Sequence, residues 1–225
     1  TPPPSKSQAH RLLIAAALAE GENTLRNLVR SQDIEATLRC VAALGGRWKQ
    51  TESGALLVTG IGGQPRPAGE LPRLDCGESG STLRFFIPIA LAVAGGGVFT
   101  GCGRLMERPQ GPYFQLFDQK GIFYEQKDGV LTVRGNLTPG EYVLPGNVSS
   151  QFFTGLLFAL PLLDGVSAVV SSTEIESREY ITMTLEAMRQ AGVTVAEQPG
   201  RGRFAVLHAA YRPFEAAVEA DWSQA

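Results

Sequence analysis

The chain has 225 residues, of which 44% are hydrophobic and 19% charged, enough for one large domain or two small ones with a self-supporting core. Its 20 lysines and arginines nearly balance 22 aspartates and glutamates, giving a formal net charge of -2, so general binding to nucleic acid is not expected. Three cysteines without paired spacing exclude a disulfide-stapled scaffold and a zinc ribbon. The two histidines have no second ligand at useful spacing, so we expect no metal centre.

The longest charge-free runs do not predict a membrane span. They lie at residues 85–103 and 142–163, and both are interrupted by proline together with glycine or polar side chains. No signal peptide is recognisable, and the cysteine usage favours a reducing compartment. We therefore expect a cytoplasmic protein that does not enter a membrane.

An internal repeat of about 70 residues runs along the chain. Three apolar stretches each follow a short serine-containing segment, which we call an opener. The serines at these openers are Ser7, Ser81 and Ser150. Each unit then carries a second helical pattern, and these patterns end at Gly46, Gly121 and Gly192. Two independent landmarks therefore give the same period.

Within each unit we predict the order loop, helix, strand, helix, strand, strand. The first helix is apolar on nearly all faces and should be buried, whereas the second is amphipathic. In the first unit the apolar positions of that second helix are Ile34, Leu38, Val41, Ala42 and Leu44. Its closing glycine should adopt a left-handed conformation before an alternating strand, as at residues 193–196. Strands alternating with helices predict an α/β domain of three similar units.

The three openers together predict a surface that binds anions. The first turn of a helix has unpaired backbone N–H groups and the positive end of the helix dipole, and each opener adds hydroxyl groups. If the units surround a pseudo-symmetry axis, the openers converge, and Arg11 and Arg84 face the same way one turn later. Serine is also an ordinary N-cap. Three openers in register nevertheless favour recognition of phosphate and carboxylate groups.

Five motifs resemble those of the 5-enolpyruvylshikimate-3-phosphate synthase family of enolpyruvyl transferases. S-K-S-Q-A-H-R at residues 5–11 resembles the family's opening motif, and G-E-S-G-S-T-L-R at residues 77–84 its glycine loop. E-R-P-Q-G at residues 107–111 is similar to its E-R-P-x-G segment. S-S-Q-F at residues 149–152 and S-R-E-Y-I at residues 177–181 resemble its last two motifs. The motifs occur in the family's order and span essentially the whole chain.

The resemblance implies an α/β fold of two lobes, each an inside-out α/β barrel of three βαβαββ repeats. This chain is expected to be one such lobe. Residues 1–215 would form the lobe that binds shikimate 3-phosphate, and residues 216–225 a crossing strand and the start of a second lobe. A fourth opener at residues 221–224 (D-W-S-Q) fits that expectation, as do the bare Thr1 and the abrupt end at Ala225. The full-length protein is expected to be a monomer.

The resemblance also implies a reaction and a set of site residues. The 5-hydroxyl of shikimate 3-phosphate adds to phosphoenolpyruvate, phosphate leaves the adduct, and no cofactor takes part; the product serves chorismate and aromatic amino-acid biosynthesis. Lys6 is the implied catalytic residue, between the two substrates. The implied contacts of shikimate 3-phosphate are Lys6, Ser7, Arg11, Ser149, Ser150, Gln151, Ser177 and Tyr180. Those of phosphoenolpyruvate are Lys6, Gly80, Arg108 and Gln151. Arg84 and Asp221 are further candidate site residues with no substrate assigned to them.

Several roles remain open from sequence alone. Arg11 is implied to pair with the substrate carboxylate, whereas Arg84 is expected to orient the glycine loop and contact neither substrate. Tyr180 could serve packing as well as ligand contact. Glu78 stands where the family more commonly has asparagine, and its carboxylate either pairs with a neighbouring arginine or points away. Cys40 is expected in the core, and the other two cysteines are expected to be structural.

The sequence suggests one function and three alternatives to it. The family's acid–base carboxylates lie in its second lobe, so the 225 residues alone are expected to bind shikimate 3-phosphate weakly and to turn over nothing. The alternative is a stand-alone module that binds phosphate esters without catalysis. An enzyme acting on nucleic-acid ends is disfavoured by the net charge. The sister activity on UDP-N-acetylglucosamine is disfavoured because no cysteine sits in its catalytic-loop pattern.

Overall fold

The computed structural model describes residues 3–62, 69–198, 200 and 202–221. Nearly all of the predicted fourth opener lies outside the described residues. The described part forms six α-helices and twelve β-strands.

In every unit a helix, a strand, a second helix and two strands follow one another as predicted, and in the second and third units a further strand precedes the first helix. The first unit contains α1 (Lys6–Leu18), β1 (Glu20–Arg26), α2 (Gln32–Ala43), β2 (Arg47–Gln50) and β3 (Leu56–Ile61). The second contains β4 (Arg73–Asp75), α3 (Gly80–Ala94), β5 (Gly96–Thr100), α4 (Gly111–Lys120), β6 (Phe123–Lys127) and β7 (Val130–Arg134). The third contains β8 (Glu141–Leu144), α5 (Ser150–Ala159), β9 (Val166–Ser171), α6 (Arg178–Gln190), β10 (Val195–Gln198) and β11 (Arg203–Leu207), and β12 (Glu215–Ala217) follows.

Each unit builds one four-stranded sheet with the same order of strands. The three orders are β12-β1-β3-β2, β4-β5-β7-β6 and β8-β9-β11-β10. In every sheet the first two strands are parallel and the remaining pairs are antiparallel. The α/β fold of three βαβαββ repeats is therefore confirmed. The described strands form three separate sheets and no closed barrel, as a single lobe should.

The first sheet takes its opening strand from the far end of the chain. In the second and third units that strand precedes the first helix, but in the first unit β12 occupies the same place, with Thr24 opposite Glu215. Pro4 and Ala220 form an antiparallel bridge beside it. The expected boundary after residue 215 falls within β12, so the division into residues 1–215 and 216–225 stays a prediction.

The first helix of each unit supplies the core. In α1 every residue from Ala9 to Leu18 is buried, as its apolar sequence predicts. The second helices bury one face only, although Ala42 of α2 is exposed rather than part of that face. Gly121 and Gly192 adopt the predicted left-handed conformation, with φ of 66° and 80°. After α2 it is Gly45 and not Gly46 that has the positive φ, 104°, because α2 ends with Leu44 as its C-cap and its last carbonyls are bonded by the N–H groups of Gly45 and Gly46, at 2.9 Å to Ala42 and 3.0 Å to Val41.

Two of the three cysteines lie in the core, as expected for Cys40. Cys40 and Cys76 are buried in the core with their sulfur atoms 3.9 Å apart, and Cys102 is exposed.

Within the described ranges, no helix combines the length and apolar character needed to cross a membrane. The same residues contain no group of three or more His, Cys, Asp or Glu side chains placed to hold a metal ion.

A proline within α3 leaves one backbone carbonyl without its helical hydrogen bond, and a tyrosine hydroxyl takes the place of the missing donor. Pro88 has no N–H, so the carbonyl of Arg84, one turn earlier, lacks its helical donor. The buried Tyr113 hydroxyl lies 2.9 Å from that carbonyl and 3.0 Å from the carbonyl of Phe152 on α5. Gly155 lets this hydroxyl approach, because a Cβ there would collide with it. One hydroxyl thereby ties α4 to both α3 and α5.

Tyr113→Phe should lower the free energy of unfolding by about 1–2 kcal/mol, because the Arg84 carbonyl is left buried without a donor. Urea denaturation measures the change. Tyr124→Phe is the matched control, since the Tyr124 hydroxyl bonds Asp118 at 3.1 Å on the surface and its loss should cost little. Equal losses in the two variants would contradict the role given to Tyr113.

His10 is a buried imidazole on α1, only 2% exposed. Desolvation by burial lowers its pKa from 6.5 to about 4; Asp33 opposes this shift, while Arg11 and Lys6 add to it. Its Nδ1 lies 2.9 Å from the Thr37 hydroxyl. Its Nε2 has no hydrogen-bond partner. The ring is therefore neutral near pH 7.

This histidine should destabilise the fold in mild acid. The unfolded chain takes up a proton below about pH 6.5 and the folded chain only below about pH 4, so stability falls as the pH drops through that window, by about 3 kcal/mol. Urea unfolding on both sides of the window measures the fall. His10→Asn should abolish this loss of stability between pH 6.5 and 4, whereas His208→Asn, at an exposed position, should not. Identical pH dependence in wild type and His10→Asn would refute the assignment.

Candidate anion-binding site

A cleft of about 310 Å³ lies where the N-terminal ends of α1, α3, α5 and α6 meet. Its lining residues are Ser7, Arg11, Ser81, Phe85, Val148, Ser149, Ser150, Gln151, Ser177 and Tyr180. All three openers therefore contribute to one concave surface. Seven of the residues expected to contact shikimate 3-phosphate are among these, and Lys6 is the one that is not.

Arg11 lines this cleft with only 3% of its surface exposed. Its Nε donates to the Tyr180 carbonyl at 3.1 Å and to Thr184 Oγ1 at 2.8 Å. Its Nη1 donates to the Ser7 carbonyl at 2.7 Å and its Nη2 to Thr154 Oγ1 at 3.5 Å. The side chain is thus held by α1, α5 and α6 together.

All the acceptors around Arg11 are neutral oxygen atoms. Within residues 3–62, 69–198, 200 and 202–221, no carboxylate forms an ion pair with it. Burial lowers the pKa of the guanidinium to about 10, partly opposed by Tyr180, so the group stays charged at neutral pH. The four bonds use three of its five N–H groups. A buried charge without a counter-charge is costly, and an anion in the cleft would supply both the charge and the acceptors.

The serines at the other side of the cleft sit at two helix N-termini. Ser149 is the N-cap of α5, and its Oγ accepts from the backbone N–H of Gln151 at 3.3 Å. Ser150 is the first residue of α5 and is buried. Ser177 precedes α6 with φ of 56°, a left-handed conformation that is strained for a residue other than glycine. Its hydroxyl makes no capping bond and remains available to a ligand.

Gln151 and Arg84 connect this cleft to the glycine loop. Gln151 accepts from Arg84 Nη1 at 2.8 Å and donates to Ser81 Oγ at 2.9 Å, so both ends of its amide are oriented. Arg84 Nη2 also donates to the Pro109 carbonyl at 3.3 Å. The Arg84 guanidinium lies 4.7 Å from the ring centroid of Phe152. Arg84 therefore bridges three of the five motifs.

Gly80 and Arg108 form a second group next to the cleft. A Cβ at residue 80 would lie 2.7 Å from Arg108 Nη1, so glycine makes room for the guanidinium. Arg108 is exposed, and no carboxylate in the described ranges pairs with it. Arg108 and Arg84 are close enough for Arg108 to help lower the Arg84 pKa, although burial is the main cause. Two guanidinium groups in one place favour an anionic ligand.

Lys6 lies beside Ser7 at the start of α1. Its Nζ is 2.7 Å from Asp33 Oδ2, and its side chain is 57% exposed. An exposed ion pair of this kind contributes about 1 kcal/mol or less. A polyanionic ligand can therefore compete with Asp33 for the ammonium group.

Two of the open questions about acidic residues receive answers. The Glu78 carboxylate lies against Gly103, and within the described residues it forms no ion pair with an arginine. Asp221 does not reach the cleft. It lines a separate cavity of about 400 Å³ with Ser5, Gln8 and Glu179, against α6.

The sequence alone did not identify the residues that support the site. Thr154 and Thr184 hold Arg11, and Asp33 holds Lys6. A single hydroxyl in the apolar run F-F-T-G-L-L-F-A was the available signal for Thr154. Thr184 and Asp33 carried no comparable signal, because their partners lie far away along the chain.

Comparison with known proteins agrees with the geometry. A family model described as EPSP synthase (3-phosphoshikimate 1-carboxyvinyltransferase) matches residues 1–225. A 3-phosphoshikimate 1-carboxyvinyltransferase of Clostridium beijerinckii is 43% identical over 229 residues, covering 99% of this chain and 52% of that protein. One from Clostridioides difficile is 38% identical, with 99% and 53% coverage.

Solved structures show the same fold. Two structures of EPSP synthase from Acinetobacter baumannii superpose with TM-scores of 0.82 and 0.83 at 22% and 23% sequence identity. Each match covers 99% of this chain and 50% of the solved chain. The chain thus spans about half the length of the relatives that it matches. On these grounds it belongs to the EPSP synthase family.

Proposed function

We propose that this chain is the shikimate 3-phosphate-binding lobe of an enolpyruvyl transferase. The whole protein would move the carboxyvinyl group of phosphoenolpyruvate to the 5-hydroxyl of shikimate 3-phosphate, in aromatic amino-acid biosynthesis. The observation that carries the proposal is Arg11, a buried guanidinium that pairs with no carboxylate in the described part of the chain and lines a cleft formed by helix N-termini. The cytoplasmic location and the monomeric state remain predictions.

The cleft matches a ligand that is anionic at both ends. The two unused N–H groups of Arg11 suit a carboxylate, because a guanidinium binds carboxylates through parallel hydrogen bonds. The hydroxyls of Ser149, Ser150 and Ser177, with the N-termini of α5 and α6, suit a phosphate. Tyr180 stacks near Arg11, at 5.6 Å from guanidinium carbon to ring centroid, and closes one side. Shikimate 3-phosphate presents these two groups on one ring.

The second group of residues suits phosphoenolpyruvate. Arg108 packs on Gly80, and Gln151 is oriented toward the same region by Arg84 and Ser81. Lys6, which the family resemblance implies to lie between the two substrates, would act on the reacting atoms as the 5-hydroxyl adds and phosphate leaves. Arg84, engaged with Gln151 and Pro109, acts as a positioning residue.

The 225 residues alone should bind shikimate 3-phosphate and form no product, because a closed, dehydrated site with its acid–base groups requires the other half of the protein. Calorimetry with shikimate 3-phosphate measures the binding, and phosphate release measures turnover. Product formation by this chain alone would contradict the first part. Binding without turnover even in the full-length protein would instead favour a stand-alone phosphate-ester module.

Arg11→Lys and Ser149→Ala should each weaken binding of shikimate 3-phosphate by about tenfold or more. Lysine keeps the charge of Arg11 but loses the two-pronged geometry, and alanine removes a hydroxyl from the phosphate end. Ser53→Ala, in an exposed turn far from the cleft, is the matched control and should bind as wild type does. Unchanged affinity in both site variants would refute the assignment.

Ser177→Gly should separate stability from binding. Glycine adopts the left-handed conformation without strain, so the free energy of unfolding should rise by about 0.5–1 kcal/mol. The same change removes a hydroxyl proposed to hold the phosphate, so the affinity for shikimate 3-phosphate should fall. Thermal unfolding and calorimetry on one preparation test both. A variant that is more stable and binds equally well would remove Ser177 from the site.

A further inference from the structure

Four polar side chains form a connected network in the core beneath the site. His10 Nδ1 lies 2.9 Å from Thr37 Oγ1, and Thr37 Oγ1 lies 2.8 Å from Thr82 Oγ1. Thr82 Oγ1 in turn donates to Ser79 Oγ at 2.8 Å. None of the four is more than 3% exposed. The network crosses from α1 through α2 to the start of α3 and so joins the first two units.

Both ends of this network lie next to proposed site residues. Ser79 is the N-cap of α3 and directly precedes Gly80. At the other end, the Asp33 carbonyl oxygen lies 3.2 Å from Thr37 Oγ1 and 3.5 Å from Thr82 Oγ1, while the Asp33 carboxylate binds Lys6. The same four residues therefore hold the glycine loop and the partner of Lys6.

The directions of the hydrogen bonds can be deduced from the unpaired His10 Nε2. A proton on Nε2 would leave a buried N–H without an acceptor, whereas a proton on Nδ1 leaves only a lone pair unpaired. His10 therefore donates from Nδ1 to Thr37, and the Thr37 hydroxyl is left to donate to Thr82 Oγ1. The Thr82 hydroxyl then donates to Ser79, which already accepts from the Thr82 backbone N–H at 3.2 Å.

Packing alone does not require these polar groups. Valine has nearly the shape of threonine and would fill both threonine positions without hydroxyls to satisfy. Hydrogen bonds, in contrast, fix the separation and direction of the groups that they join, and a fully connected buried network is more rigid than its separate bonds. The network thus determines how far the N-terminus of α3 lies from α1 and α2.

We infer that His10, Thr37, Ser79 and Thr82 are positioning residues that set the glycine loop at a fixed distance from Lys6. The inference rests on the proposed function, in which Lys6 and Gly80 contact the same phosphoenolpyruvate molecule. None of the four touches a substrate. By fixing the glycine loop relative to Lys6, they hold Lys6 and Gly80, which belong to different repeats, at the separation that one phosphoenolpyruvate molecule requires.

Thr82→Val tests this in the full-length protein that contains the chain. The KM for phosphoenolpyruvate should rise by about tenfold while the KM for shikimate 3-phosphate stays within about twofold, because Ser149, Ser150 and Ser177 lie outside the network. Thr82→Ser keeps the hydroxyl and should restore the wild-type value. Ser167→Ala, which removes a buried hydroxyl from β9, is the control for stability alone.

Equal increases of both KM values, or the same behaviour in Thr82→Val and Ser167→Ala, would overturn the inference. A second readout needs no ligand. Amide hydrogen exchange at Gly80 should be at least about tenfold faster in Thr82→Val and unchanged in Ser167→Ala. If the full-length wild type shows no transferase activity, the proposed function fails, and exchange at Gly80 still decides whether the network holds the loop.

Discussion

The arrangement of the site depends on one buried positive charge. Arg11 is removed from water by α1, α5 and α6, yet it meets only neutral acceptors, among them Thr154 and Thr184. The helix N-termini around Arg11 add positive electrostatic potential and do not offset its charge. Because the folded protein holds this charge without a counter-charge from a described carboxylate, binding of an anion in the cleft is favoured. The serines of the third opener then determine where the other end of that anion lies.

Sequence reasoning predicted the fold because the evidence for it is local and repeated. Helical periodicity, closing glycines and openers recur at one period, and each can be recognised within a few residues. The supporting contacts could not be predicted in this way. The Arg11–Thr184 bond joins residues 173 positions apart, and nothing near Thr184 in the sequence indicates its partner. The same holds for Gly45, where the choice between two adjacent glycines depends on which residue ends α2 and so on which carbonyls are left to be capped.

Glycine and proline have specific structural roles at the packed helices. Pro88 removes a helical donor, Tyr113 replaces it, and Gly155 provides the space for the replacement. The result is a close contact between α3 and α5 that brings Arg84 to Gln151. The hydrogen bond that Pro88 removes from α3 is thus replaced by a contact that helps to orient the Gln151 amide, a proposed ligand contact.

The place of β12 has a consequence for how the lobe acquires its structure. Because β12 completes the sheet of the first unit, residues 191 positions apart must meet before that sheet is whole. A linear repeat array can grow one unit at a time from either end, but this chain is closed into a ring of three. Its N-terminal unit, although synthesised first, can be finished only last. The lobe should consequently fold as one cooperative body, at a rate limited by long-range closure.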